Sequence, residues 1–167
     1  MADKNNDAFM RSLCMGKIQE DMIFPFPKVK KEEAETLKAI FDSLKNWLKP
    51  KMEDFRKWDR EGEMPKAFVD EMKQYGLFGL IVPEDYGGLG FGAQAYSRAV
   101  QEIGRYDSSV AITVGAHSSI GMRGLLLFGT DAQKKKYLPK LATGEMIAAV
   151  CLTEPGAGSD AASIPTQ

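Results

Sequence analysis

Cys151-Leu152-Thr153-Glu154-Pro155-Gly156-Ala157-Gly158-Ser159-Asp160 is the stretch on which the reading of this chain turns, because its residue types change abruptly against those before it. The apolar run Met146 to Leu152, with Gly144 upstream and Pro155 and Gly156 downstream, reads as a short buried strand. Thr153 and Glu154 then bring a hydroxyl and a carboxylate. Pro155, Gly156 and Gly158 thin out the side chains, and Ser159 and Asp160 add polar groups. Glycine permits positive φ and lets a backbone approach a flat or charged ligand closely. Backbone N–H groups beside short hydroxyls can receive carbonyl or phosphate oxygens. Two readings stand at this point. One is a strand followed by a tight turn of ordinary turn residues. The other is a loop that receives a ligand.

Upstream of this stretch the pattern is helical. Residues 1–23 have weak periodicity and read as a mobile or loosely helical arm. Phe24-Pro25-Phe26-Pro27 reads as extended, because each proline disfavours helix in the residue before it. Ala34, Leu37, Phe41, Leu44 and Leu48 recur at three- and four-residue steps, which predicts a helix over Lys31 to Leu48 that Pro50 breaks. Met52, Phe55 and Trp58 continue a shorter helix up to Gly62. Pro65 opens the next one, with Phe68, Met72 and Tyr75 inward and Gly76 as a left-handed cap. The glycine-rich turn Gly87 to Gly92 leads into a helix over Ala93 to Ile103, with Tyr96, Val100 and Ile103 on its buried side. Asp107 and Ser108 are helix-start residues. Val110 to Phe128 reads as a central helix, or two broken near Gly121, buried all round. Thr130 with Gln133 forms a capping box for a helix to about Ala142, and Gly144 ends it. A single strand at the end of this series has no partner strand in the reading, so its N–H and C=O groups need a sheet from elsewhere.

With 167 residues there is room for one core, and 44% hydrophobic residues describe a globular chain. A net charge of −1 points to no polyanionic partner, so nucleic acid is not expected. The two cysteines, Cys14 and Cys151, lack metal-ligand or CxxC spacing and suit a reducing compartment; Cys151, inside the apolar run, is expected to be a buried inert thiol. No apolar run is expected to approach membrane-span length.

Several motifs have plainer readings. Gly88-Leu89-Gly90-Phe91-Gly92-Ala93 fits a dinucleotide fingerprint, and Asp107 follows at a suitable distance. A Rossmann unit, however, requires a second strand before that acid, and Ile103-Gly104-Arg105-Tyr106 is too short and polar to form one, which favours a structural turn. His117, the sole histidine, lies in an apolar helix and reads as a satisfied core residue. No metal pair and no nucleophile triad is spaced around it. Lys134, Lys135 and Lys136 read as a solvated helix face, and Trp47 and Trp58 as core or rim.

The order Leu152-Thr153-Glu154-Pro155-Gly156-Ala157-Gly158-Ser159-Asp160 resembles the signature of the acyl-CoA dehydrogenase family of flavoenzymes. Tyr75 to Glu84, Tyr86-Gly87-Gly88-Leu89-Gly90, Phe128-Gly129-Thr130 with Gln133, Lys136-Tyr137-Leu138-Pro139 and Gly144-Glu145 resemble its N-terminal domain. Phe24-Pro25-Phe26-Pro27 and Ala116-His117-Ser118-Ser119-Ile120-Gly121 look most like the very-long-chain branch. The resemblance implies a mainly α fold: the N-terminal helical domain of the acyl-CoA dehydrogenase fold plus the first strand of the middle β-domain. The expected division is an arm over 1–30, the helical domain over 31–144 and the start of the middle domain over 145–167. The C-terminal helical domain, which in the family carries the glutamate base, is expected to be absent, so the chain holds no catalytic residue and would be inactive alone.

The implied reaction removes a proton from Cα and a hydride from Cβ of a fatty acyl-CoA, as in β-oxidation, with FAD as cofactor and electron-transferring flavoprotein as acceptor. The implied flavin-binding residues are Val150, Cys151, Leu152, Thr153, Glu154, Pro155, Gly156, Ala157, Gly158 and Ser159, with Thr153 donating to the flavin ring and Ser159 touching substrate. Glu154 belongs to the flavin segment and is not the base. Pro165 departs from the basic or polar residue usual in the family. An acyl-CoA oxidase or flavin monooxygenase of the same fold, or a non-catalytic truncated helical module, are the other readings. A homo-oligomer is implied for the full-length enzyme. The polar N-terminus, with two acids in its first seven residues, suits neither a secretory signal nor a transit peptide. A bacterial cytoplasm is therefore expected, or the mitochondrial matrix in a eukaryote.

Overall fold

The structure, a computed structural model, describes residues 9–26, 28–29 and 31–164. Pro27 and Pro165 lie outside the described residues, as does the arm before Phe9. Helix α1, Phe9–Cys14, is the helical part of that arm, and Phe24–Pro25 is a cis peptide within a bend rather than extended chain. The body begins with α2, Lys31–Leu48, then α3, Met52–Glu61, and α4, Lys66–Gln74. Pro50 sits in a 3₁₀ turn between α2 and α3. Gly62 and Gly76 take φ of 72° and 68°, the left-handed turns that end α3 and follow α4.

Helices α5, Ala93–Gly104, and α6, Ser108–Ala116, complete the first core. Leu37, Leu44 and Leu48 of α2 are buried against the α5 stripe of Ala95, Ala99 and Ile103. Small residues on α5 let the two helices approach closely. Tyr96 and Val100, expected inward, are half-buried because the alanines take the helix contact. Phe55, Phe68 and Trp47 fill the other end, with Trp47 stacked on Phe68 at 5.2 Å and on Tyr75 at 4.0 Å. Tyr75 was also expected inward but is 42% exposed, covering the indole from outside. The Trp47 indole N–H donates to Glu71 at 2.6 Å, and Lys51 pairs with the same carboxylate at 3.0 Å. The indole bond first, with Lys51, holds the Glu71 carboxyl below its usual range against the opposing effect of burial. Glu33 of α2 accepts from Gly92 N–H at 3.1 Å, a carboxylate at the positive end of α5.

The second core is smaller. It gathers Ile81 and Val82, Met122, and Leu138, Leu141 and Ala142 of helix α8, Asp131–Thr143. The Thr130–Gln133 capping box that opens α8 is present, and Gly144 closes it at φ 74°. Between the cores runs a near-continuous helical stretch: α6, a π turn at His117–Gly121, and α7, Arg123–Phe128. The predicted break near Gly121 is this π turn. Ser108–Phe128 has 21 residues, with mean hydropathy 1.3 over its most apolar 18, long and apolar enough to cross a membrane by those measures, contrary to the expectation from sequence. Its burial is one-sided. Val110, Val114 and Met122 are buried, whereas Ile112, Ile120 and Leu127 are exposed and Phe128 is 86% exposed. The expectation of burial all round fails because α5 and α8 cover only one flank.

The strand expected over Met146 to Leu152 is not formed. These residues carry no ladder, and among the described residues there is no strand, only an isolated bridge between Glu154 and Ala157. Ile147, Val150 and Leu152 are each at least half exposed, and Cys151 is an exposed free thiol rather than a buried one. An apolar run is buried only when a second layer covers it, and no described element lies over this one.

Candidate functional site: a loop seated on a helix break

The glycine-rich segments explain themselves first. In the turn Gly79 to Phe91, backbone N–H groups point inward. Leu89 N–H donates to Gly79 O at 3.0 Å, Gly90 N–H to Val82 O at 2.8 Å and Phe91 N–H to Leu80 O at 2.8 Å. A Cβ on Gly88 would stand 2.1 Å from Val82 O and 2.6 Å from Gly79 O. The turn preceding it is a 3₁₀ turn, Leu77–Gly79. A pyrophosphate needs free N–H groups at a strand-to-helix turn. These are spent internally, so this motif is a packing device, as the sequence reading favours.

The Val150–Ser159 segment also closes a turn on itself, but it is more exposed. Glu154 N–H donates to Ala157 O at 2.8 Å and Ala157 N–H to Glu154 O at 3.2 Å, closing a two-residue turn at Pro155-Gly156. Thr153, Pro155, Gly156 and Ser159 are exposed, while Glu154, Ala157 and Gly158 are half-buried. A Cβ at Gly158 would lie 3.3 Å from the Thr153 methyl, so glycine there leaves the threonine its room. Asp160 accepts from the Ser163 hydroxyl at 2.6 Å and closes the segment. The structure therefore places the sequence-predicted residues in one largely exposed loop. The loop offers the exposed residues Thr153 and Ser159, each with a hydroxyl, and Gly156 with open space where a Cβ would stand, a set suited to a flat ring bearing carbonyl acceptors such as a flavin.

Two contacts fix the root of the loop. Met146 N–H donates to Lys140 O at 3.1 Å, and Ala148 N–H donates to His117 Nδ1 at 3.0 Å. The other ring nitrogen, Nε2, lies 3.0 Å from Leu141 O. Because Nδ1 accepts, the proton is on Nε2, which donates to that carbonyl. His117 is 1% exposed, with Phe78 edge-on at 5.0 Å. Burial depresses its pKa below the ordinary imidazole value, and the carbonyls of Leu141 and Phe78 oppose that shift. The reading of His117 as a satisfied core residue holds for Nε2. The contact from Nδ1 to Ala148 was not legible, since nothing local ties residues 31 positions apart.

Other candidates stay structural. Lys135 and Lys136 are exposed and Lys134 half-buried on α8. Glu84 is exposed, and Glu102 accepts from Arg105 at 3.1 Å and from Tyr106 at 3.2 Å. Among the described residues no group of three His, Cys, Asp or Glu could hold a metal ion.

Comparison with known proteins agrees with this architecture. The family described as acyl-CoA dehydrogenase, N-terminal domain, matches residues 34–145. Very long-chain specific acyl-CoA dehydrogenase of Homo sapiens, a mitochondrial protein, is 43% identical over 166 residues, covering 99% of this chain and 25% of that protein. An acyl-CoA dehydrogenase of Bacillus subtilis is 38% identical over 138 residues, covering 83% of this chain and 36% of that one. The solved structure of an acyl-CoA dehydrogenase complexed with FAD from Bacillus anthracis superposes with a TM-score of 0.64 at 39% identity, covering 87% of this chain and 24% of that chain. This chain spans about a quarter of the length of the very long-chain relatives it matches. With the family match covering more than half of the chain and the same helical architecture in a solved relative, the chain belongs to the acyl-CoA dehydrogenase family, as its N-terminal helical domain.

Proposed function

We propose that these residues form the N-terminal helical wall and the flavin-side loop of a FAD-dependent dehydrogenase that introduces a Cα–Cβ double bond into a fatty acyl-CoA. The observation that supports this is the turn Thr153 to Gly158, exposed at Thr153, Pro155 and Gly156, open at Gly156 and rooted on the helical body through Ala148. FAD, when bound, supplies the acceptor for the hydride leaving Cβ. Thr153 would donate from its hydroxyl or N–H to the flavin ring, and such donors favour the charge that develops on reduction. Gly156 and Gly158 would let the backbone approach the ring, and Val150, Cys151, Leu152, Glu154, Pro155 and Ala157 would complete the segment. Ser159 would lie where acyl chain and flavin come together and would touch substrate. The division into an arm over 1–30, a helical domain over 31–144 and the start of a β-domain from 145 is part of this reading. So are an electron-transferring flavoprotein as acceptor and assembly as a homo-oligomer. No carboxylate here is assigned as the base, so residues 1–167 by themselves are inactive in this reading. The relatives include a mitochondrial enzyme and a bacterial one, and both compartments suit the proposal.

The test is a chimaera in which this sequence replaces the matching stretch of very long-chain acyl-CoA dehydrogenase. It should hold stoichiometric flavin and reduce an electron acceptor with palmitoyl-CoA, while residues 1–167 with added FAD should do neither. Thr153→Ala in the chimaera should lose one donor, typically worth about 1–3 kcal/mol of binding. An unchanged flavin spectrum and rate in that variant would remove Thr153 from the site. Turnover by residues 1–167 alone, abolished by Glu154→Gln, would instead make Glu154 the base.

A further inference from the structure

We infer that His117 is a positioning residue, holding the proposed flavin loop on the helical body through Nδ1 while Nε2 serves the core. The role as a flavin-loop anchor rests on the function proposed above; the anchoring itself does not. Two independent features support it. The first is the hydrogen bond from Ala148 N–H to Nδ1 at 3.0 Å, made by a ring that is 1% exposed. The second is Gly121 at the far end of the same π turn, where a Cβ would stand 2.7 Å from Ala148 Cβ and 2.9 Å from Ala148 O. Histidine and glycine thus bracket one residue of the incoming chain, one by a hydrogen bond and one by leaving space. A π turn widens a helix locally and is enriched at functional sites; here it makes the seat for Ala148. Thr153 begins the exposed turn five residues further on. Displacement of Ala148 is passed along this short connection to the donor that faces the ring.

The two ring nitrogens allow the roles to be separated. Asparagine can place an acceptor near Nδ1 and glutamine a donor near Nε2. In His117→Asn the Ala148 amide should keep its protection against hydrogen exchange. In His117→Gln, with the Leu141 contact retained, exchange at Ala148 should quicken by about fivefold to tenfold, the scale of one net hydrogen bond. Ala148→Pro removes the donor from the loop side and leaves the buried ring intact, so it tests the anchor even where a His117 variant fails to fold. It should release residues 149–153 to proteolysis while α8 stays protected. Equal exchange in wild type and His117→Gln, or no gain in cleavage with Ala148→Pro, overturns the anchor. In the chimaera, FAD should bind about tenfold more weakly to His117→Gln than to His117→Asn. A freed loop with unchanged FAD affinity overturns the positioning role. A chimaera with the unaltered sequence that takes up no FAD overturns the proposed function instead, and the exchange data still decide the anchor.

Discussion

The two cores of this domain are held together by different means. In the first, side chains make the contacts: Trp47, Phe55 and Phe68 stack and interlock, and leucines of α2 meet alanines of α5. In the second, backbone approaches backbone. Gly79 lies against Ala142, Gly88 against Val82, and Gly121 against Ala148, with His117 as the polar pin. Side-chain packing writes a three-and-four period into the sequence. Backbone packing writes isolated glycines, which look like ligand motifs until their neighbours are known. The proposed functional loop grows from the second region, where a short connection joins it to the seat of Ala148 on His117 and Gly121.

Truncation of the aromatic cluster should have the largest effect. Phe68→Ala removes a buried ring that touches Trp47, Phe55 and Trp58, and should cost about 3–5 kcal/mol in urea denaturation. A loss below 1 kcal/mol would mean that the first core re-collapses and the contrast between the regions is false. Next comes the opposite change in the second region. Gly88→Ala adds one methyl facing backbone atoms that cannot move aside, and should cost about 1–3 kcal/mol. If Gly88→Ala folds with wild-type stability, the turn is not as closely packed as described.

Acid should act on the second region before the first. His117 is the only histidine in the chain, and its folded pKa is depressed by burial. Below the ordinary imidazole pKa of about 6.5 the unfolded chain binds a proton that the folded chain refuses, so stability falls with pH from there downward. Above that value its contribution is fully present. His117→Asn should flatten the fall of stability that begins as pH drops below about 6.5, leaving the carboxylate-linked loss at lower pH. A slope unchanged by the substitution would assign it to other groups. The smallest effect is expected at the α8 capping box, where Thr130→Ala removes an exposed cap and should cost about 1 kcal/mol by thermal or urea melting, with no effect on the aromatic core. A cost comparable to that of Phe68→Ala would show that α8 is held by its cap rather than by Leu138 and Leu141.

By itself the sequence determined the helices and most of their ends. The Lys31–Leu48 span, the left-handed glycines Gly76 and Gly144, the Asp107 cap and the Thr130 capping box are local devices, satisfied by neighbours within a few residues. The order of residues from Leu152 to Asp160 was enough to point to the family, which the comparisons bear out. Tertiary structure alone decided three things. It showed which flank of Ser108–Phe128 is covered, since a stretch of mostly small and apolar residues has little periodicity to reveal a face. It showed that Met146 to Leu152 is an exposed connection, because a strand exists only by pairing and no described strand pairs with it. It showed that His117 and Gly121 receive Ala148, a contact between distant residues that no local pattern encodes, because it depends on how the π turn and the end of α8 meet in space.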